Sequence, residues 1–231
     1  MSTGGAPTPA WQLPDRDPSR FGTEAFYSAV GRAFVAMCLF APVLFGIELV
    51  NYLLGGELAA DGGIQPHSVD GLDGVVLAPF LHASFEHVLA NSVPLIVLGT
   101  FVLAAGTRRF VLSTAFIIVV SGLGVWLIGD PRTVVVGASG VIFGYFGLLF
   151  VRGIVERSWW NVGVAVLVAM LYGWQLVGVL GPVDAHISWQ DHLCGLIAGM
   201  LAAVLFRRRR VRPGRPLITT GSGDTVTMPL S

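Results

Sequence analysis

The chain has 231 residues, of which 54% are hydrophobic and only 12% are charged. A soluble domain usually carries about 25% charged residues, so this composition argues against an ordinary soluble protein and indicates a polytopic membrane protein. The 14 basic residues, all arginine, balance 14 acidic residues, so the formal net charge is zero. The two cysteines, Cys38 and Cys194, both lie in apolar segments, which argues against a disulfide framework.

Six apolar segments follow one another along the chain. We predict membrane-spanning helices at about residues 31–54, 85–105, 110–128, 134–151, 162–180 and 188–206. Most of these segments are long enough to cross about 30 Å of hydrocarbon at a rise of about 1.5 Å per residue. The expected fold class is therefore all-α: a six-helix membrane domain over residues 29–206, with disordered tails at 1–28 and 207–231.

The placement of arginine predicts the orientation of these segments. Every arginine except Arg132 falls in the two tails, at the start of the first segment, or in the loops after the second and fourth segments. Because cytoplasmic loops carry an excess of arginine and lysine, both termini are expected in the cytoplasm of a multi-pass plasma-membrane protein. Residues 207–210 are all arginine; we interpret them as a topology anchor attracted to anionic lipid rather than as a nucleic-acid site.

This orientation brings several polar residues to one depth. The second, fourth and sixth segments all begin at the outer face and run inward. Close to the starts of these segments lie the polar residues His82, His87, Asn91, Ser139 and His192. Polar and ionisable residues within membrane segments usually face the interior of the bundle and mark function.

Ser139 and His192 have the chemistry of a nucleophile and its base. Serine needs a neighbouring base to take its proton, and histidine is the usual base. Asp191 adjoins His192 but points about 100° away around the helix, so no acidic third member is expected. The residues predict a Ser–His dyad, and Phe143, one turn after Ser139, is expected to support the imidazole ring.

Small residues predict a close contact between the fourth and sixth segments. Gly195 and Gly199 lie on the same helix face as His192, and the fourth segment contributes Gly137 and Gly140. Small residues let helix backbones approach closely in membranes. Such a contact would bring the serine beside the histidine.

His87 and Asn91 are candidate donors for an oxyanion. They are four residues apart and share a helix face. A tetrahedral intermediate needs hydrogen-bond donors aimed at its oxygen, and the Ser139 backbone N–H at a helix start is a natural third donor. His82, in the preceding loop or on another face, is given a supporting role.

Three motifs on the second, fourth and sixth segments resemble the rhomboid family of intramembrane serine proteases. They are His82-x4-His87-x3-Asn91, Gly137-x-Ser139-Gly140 and His192-x2-Gly195-x3-Gly199. The resemblance covers about residues 30–206. It implies a six-helix rhomboid fold with an active site that opens to the outer side of the membrane, and it implies hydrolysis of a peptide bond in or near the membrane segment of another protein. Ser139 would be the nucleophile, His192 the base and acid, and His87, Asn91 and the Ser139 N–H the oxyanion hole. It implies no metal and no organic cofactor.

Two loops bear on this resemblance. Residues 55–80 lack the Trp-Arg pair that many bacterial relatives carry in the first outer loop. Residues 181–190, which include Trp189, precede the sixth segment and are a candidate movable cap.

Other interpretations compete with a protease. Ser139 could be a serine that only packs helices together, and His82 and His87 could bind a metal, although no Cys or carboxylate cluster completes a site. A transporter or channel could use the same buried polar residues, but no inverted repeat is evident. A non-catalytic rhomboid-like protein that binds membrane helices is a further alternative, although such proteins lack the serine or histidine.

Overall fold

The computed structural model describes residues 21–157, 159–171 and 188–207 and two short strands beyond them. The helices are α1 Glu24–Leu53, α2 Glu57–Gly62, α3 Gly74–Leu77, α4 Phe85–Ala104, α5 Thr107–Ile128, α6 Ser139–Val155, α7 Trp159–Leu171 and α8 Trp189–Leu205. Single 3-10 turns cover Val69–Gly71 and Ala78–Phe80. Strands β1 Ile218–Thr219 and β2 Thr225–Val226 pair antiparallel within the C-terminal stretch that was expected to be disordered.

Several helices have the length and composition of membrane spans. Among the described residues, α1, α4 and α5 each reach at least 18 residues with high mean hydropathy. Helices α6 and α8 are apolar but shorter, with 17 residues each. These helices are those of a multi-pass membrane protein, while the count of six spans stays a prediction. The fifth predicted segment is helical as far as Leu171, and its remainder lies outside the described residues.

Helix α1 begins earlier than the sequence analysis predicted. Its first residue is Glu24, and the Thr23 hydroxyl caps it by accepting a hydrogen bond from the Phe26 N–H at 3.1 Å. Thr is a favoured N-cap because its oxygen satisfies one of the unpaired amides of the first turn. Residues 24–28, expected in the disordered tail, therefore belong to the first helix.

Helix α6 begins later than predicted, at Ser139 rather than near residue 134. Val135 is extended and exchanges two backbone hydrogen bonds with Ile64 in the first outer loop, both 2.9 Å long. Gly137 then has φ of +124°, a value that L side chains rarely adopt. The valines at 134–136 are β-branched and favour an extended chain. Their high hydropathy is also typical of membrane helices, so hydropathy alone led to the prediction of a helix here.

The predicted close contact between the fourth and sixth segments is confirmed. Helix α6 packs mainly on α8, and α8 also packs against α5. A Cβ at Gly195 would collide with the Gly140 carbonyl oxygen, and a Cβ at Gly199 would collide with the Gly144 carbonyl oxygen. The same sequence offset in both contacts means that α6 and α8 run parallel. Their starts therefore lie at one end of the bundle.

The first outer loop folds onto the end of α5 despite lacking a Trp-Arg pair. The Trp126 indole Nε1 donates a hydrogen bond to the Ser68 carbonyl at 2.7 Å, and the His67 N–H donates to the Trp126 carbonyl at 3.1 Å. Asn51, near the end of α1, accepts the Ala59 N–H at 2.9 Å. The loop is thus fixed to both α1 and α5.

Candidate active site

Ser139 is the first residue of α6 and lies at a sharp change from extended chain to helix. Ala138 precedes it as the N-cap residue and offers no side chain to the unpaired amides of the first turn. The Gly137 N–H donates to the Ala78 carbonyl at 2.9 Å, which fixes the chain just before the serine. Within the described part of the chain, the Ser139 N–H has no acceptor. An unpaired amide at a helix start is available to bind a negative oxygen.

The Ser139 hydroxyl makes its hydrogen bond with Asp191. Ser139 Oγ donates to Asp191 Oδ2 at 2.9 Å. Asp191, which was set aside because it points about 100° away from His192 around the helix, therefore contacts the serine instead. Asp191 lies 100° from His192 around α8, yet both residues are buried, because α8 is packed against α5 and α6 at once. The carboxylate also interacts with the Gly140 backbone N–H.

His192 lies beside Phe143, as predicted. The two rings are stacked with centroids 4.2 Å apart and planes inclined by 20°. His192 is only 6% exposed, and among the described residues its Nδ1 has no hydrogen-bond partner. Across the described ranges no hydrogen bond links His192 to Ser139. The structure thus brings the histidine to the first turn of α6 but directs the serine hydroxyl elsewhere.

His87 and Asn91 of α4 lie against the turn that leads into Ser139. A Cβ at Gly137 would stand 2.8 Å from His87 Nε2 and 3.6 Å from Asn91 Nδ2. Asn91 is 3% exposed, and its Nδ2 donor has no partner among the described residues. A buried donor left unpaired is costly and calls for an explanation, and an oxyanion that arrives with substrate would provide one.

His82 supports the same turn from the loop before α4. Its Nε2 accepts a hydrogen bond from the Ala138 N–H at 3.4 Å, and its ring meets that of His87 edge-on with centroids 5.0 Å apart. Burial, together with the neighbouring His87, lowers the pKa of His82 to about 4. The ring is therefore neutral near pH 7, as a ring nitrogen that accepts a hydrogen bond must be.

Two residues of this region were missed by the sequence analysis. Asp191 was discounted, although an acidic residue at the start of an apolar helix is itself a signal of function. Asn51 was not considered, yet its Nδ2 donates to the His82 carbonyl at 3.2 Å and to Glu48 Oε2 at 3.3 Å. Its only signal was an amide near the end of the first segment, which did not reveal its partner 31 residues later.

Two other expectations meet the structure only in part. Trp189 is the half-buried first residue of α8, and the rest of the proposed cap, up to residue 187, lies outside the described residues. In the described ranges, no group of three or more His, Cys, Asp or Glu residues could hold a metal ion.

Comparisons with known proteins identify the family of this chain. A family model described as "Rhomboid domain" matches residues 71–209. The chain is 43% identical over 174 residues to "Uncharacterized protein Rv1337" of Mycobacterium tuberculosis, which covers 72% of each chain. It is 38% identical over 179 residues to "Uncharacterized protein ML1171" of Mycobacterium leprae, covering 74% of this chain and 70% of the relative.

A more distant relative carries an activity in its name. The chain is 28% identical over 140 residues to "Putative rhomboid protease YdcA" of Bacillus subtilis, covering 57% of this chain and 66% of the relative. The family match extends over more than half of the chain and contains Ser139, His192, His87 and Asn91. On this match, together with the packing of α4, α6 and α8 around one serine, the chain belongs to the rhomboid family.

Proposed function

We propose that this protein is an intramembrane serine endopeptidase that cleaves a peptide bond in or near the membrane segment of another membrane protein. The observation that carries the proposal is the first turn of α6. There a half-buried serine, whose backbone N–H has no acceptor among the described residues, lies one turn before Phe143, on which His192 stacks, and two residues after Gly137, which His87 and Asn91 approach. Rhomboid proteins are usually proteases of this kind, which supports the same assignment.

In the proposed reaction, Ser139 Oγ attacks the substrate carbonyl and His192 takes its proton. Because the hydroxyl donates to Asp191 in this structure, it must first turn toward His192 about the Cα–Cβ bond. Such a change between staggered rotamers is fast compared with typical turnover. His192 then gives the proton to the leaving amine, and water releases the acyl group by the same steps in reverse.

The developing negative oxygen would be held by three donors. These are the Ser139 N–H, the Asn91 Nδ2 and the His87 ring, on the side of Gly137 where no side chain can intervene. Donors that are already oriented stabilise the transition state without reorganisation cost, and losing one typically slows a reaction about 10²–10³-fold. A dyad with this hole needs no cofactor and no metal.

The proposal includes an orientation and a class of partner. Arginine placement supports cytoplasmic termini and an active site that opens to the outer side of the plasma membrane. Arg132, which this topology places outside, is paired through Nη2 with Asp130 Oδ2 at 2.7 Å. Partners are membrane-protein substrates and the bilayer itself, and no nucleic acid is involved.

The test is reaction with a fluorophosphonate probe in detergent, together with cleavage of a model membrane-protein substrate. Wild-type protein should be labelled and should cleave. Ser139→Ala should do neither, and His192→Ala should lose cleavage while remaining folded. Equal labelling of wild type and Ser139→Ala would contradict the proposal. A folded wild type that binds membrane helices without labelling or cleaving them would instead support the non-catalytic alternative, and ion or solute flux would support a channel or transporter.

A further inference from the structure

We propose that Asp191 is a positioning residue that supplies, from α8, the helix cap that α6 lacks, and so holds Ser139 in place. This inference rests on the proposed function, because it concerns the same serine. The first turn of α6 has no capping hydrogen bond from the side chain of its own N-cap residue. Ala138 occupies the N-cap position, where Ser, Thr, Asp or Asn would normally satisfy an amide, and Ala is among the poorest residues there.

The Asp191 carboxylate fills that deficit from the neighbouring helix. It accepts the Ser139 hydroxyl at 2.9 Å and interacts with the Gly140 N–H, so two donors of one turn converge on it. A negative charge at a helix N-terminus is also favoured by the helix dipole. These contacts offset the cost of burying a carboxylate that is only 7% exposed.

The neighbouring residues leave room only for this arrangement. A Cβ at Gly140 would collide with Asp191 Oδ1 and stand 2.9 Å from Oδ2, so glycine is required for the carboxylate to reach the turn. On α8 itself, Gly195 brings its backbone against the Gly140 carbonyl. The contact between α6 and α8 thus places the carboxylate at the start of α6.

The three backbone amides at the start of α6 have different partners. The Ala138 N–H donates to His82 Nε2, and the Asp191 carboxylate lies against Gly140 and interacts with its N–H. Between them, the Ser139 N–H has no acceptor among the described residues. The side chains of His82 and Asp191 thus contact the residues on either side of the Ser139 amide. Asp191 therefore keeps the Ser139 amide free and aimed at the oxyanion.

The decisive variant is Asp191→Asn, which keeps the size of the side chain but removes its charge. Its N–H₂ group would face either the Ser139 hydroxyl or the Gly140 N–H, both of which are donors. Because asparagine can still accept the serine hydroxyl through Oδ1, weakening this hydrogen bond from a charged to a neutral one would raise kcat only about fivefold. A displaced turn costs more, since a misplacement of about 1 Å lowers rates about 100-fold. We therefore expect kcat to fall about tenfold or more, with KM within about twofold of wild type and an unchanged thermal midpoint.

The matched control is Asp70→Asn, which alters an exposed acidic residue of the first outer loop and should leave kcat unchanged. A kcat at or above the wild-type value in Asp191→Asn would overturn the inference. So would parallel changes in kcat, KM and thermal midpoint, which a purely structural role produces.

A second measurement does not depend on proteolysis. Hydrogen exchange at the Gly140 amide, followed by NMR in micelles, should be about tenfold faster or more in Asp191→Asn. The effect of Asp191→Asn on this exchange rate is measured in two backgrounds, the wild-type chain and the Ser139→Ala chain. Faster exchange in a chain that proves inactive would refute the protease but keep the cap. Unchanged exchange in an active protease would refute the cap alone.

Discussion

The rings of Phe143 and His192 lie face to face, with centroids 4.2 Å apart and planes inclined by 20°. This stacking, rather than a hydrogen bond, fixes the orientation of the imidazole, because His192 Nδ1 has no partner in the described structure. In many serine hydrolases an acidic residue orients the base. In the proposed mechanism an aromatic face takes that place, while Asp191 contacts the serine.

Replacing Phe143 by leucine should therefore slow catalysis without unfolding the protein. Leucine keeps an apolar side chain in the same buried site but loses the stacked ring, whose interaction is worth about 0.5–1.5 kcal/mol. We expect kcat to fall about 2–12-fold. The control is Phe146→Leu, which breaks the stack of Phe146 on Phe150, centroids 6.3 Å apart, on the same helix. If both variants lose the same activity, general packing rather than support of the imidazole is responsible.

Adding a methyl group at Gly199 should damage the contact between α6 and α8. The Cβ would collide with the Gly144 carbonyl oxygen, which is backbone and cannot move aside. Overpacking of this kind costs typically about 1–3 kcal/mol, so Gly199→Ala should lower the thermal midpoint in detergent and reduce cleavage.

Gly46→Ala is the matched control for that substitution. Gly46 lies within α1, and a Cβ there would have no heavy atom within 4 Å. Its thermal midpoint should equal or exceed that of wild type, because alanine favours the helix. Equal loss in both variants would mean that the intended contact is not the cause.

Asn51 should be needed for stability although it is distant from Ser139 in sequence. Its side chain joins α1, α2 and the His82 carbonyl through three hydrogen bonds of 2.9–3.3 Å. Asn51→Ala leaves buried partners unsatisfied, which costs about 1–3 kcal/mol, so we expect a lower thermal midpoint and partial loss of activity. Asn161→Ala, at a half-buried amide without such bonds in the described structure, should change neither quantity. A wild-type midpoint in Asn51→Ala would show that these bonds contribute little.

The orientation can be tested by labelling of single cysteines in a Cys38→Ser, Cys194→Ser background. Thr133→Cys, in the turn before α6, should react with a membrane-impermeant maleimide in intact cells, and Arg108→Cys, at an exposed position in the first turn of α5, should react only after permeabilisation. The reverse pattern would invert the topology. Arg132, next to Thr133, does not argue against an outer position for this turn. Hydrogen bonds from Arg132 lower the pKa of Asp130 to about 2, so both side chains are ionised and their charges offset each other.

Much of the site could be predicted from the sequence because it depends on helix spacing. His87 and Asn91 share a face at four residues, and Gly195 and Gly199 mark the surface that meets α6. The error over Asp191 has a physical cause. Spacing tells how residues are arranged around one helix, but not how wide an arc of that helix is covered by protein. Because α8 is enclosed by both α5 and α6, residues 100° apart both face protein there.

The start of α6 was misplaced for a different reason. Hydropathy does not distinguish an extended run of valines from a helix, and the partner of Val135 lies 71 residues earlier, at Ile64. No local pattern reveals such a pairing. The left-handed conformation of Gly137 was equally hidden, since glycine there was interpreted as a packing residue.

The pairing of Ile64 with Val135 couples the position of the outer loop to the position of Ser139. Only the residues from 136 to 138 separate this clamp from Ser139, and Gly137 is held again by the Ala78 carbonyl of the same loop. If the proposed function and topology hold, a binder raised against the exposed surface of residues 57–80 should inhibit proteolysis from outside the cell without entering the active site. Its inhibition would be noncompetitive with substrate, and the two hydrogen bonds between Ile64 and Val135 would transmit it.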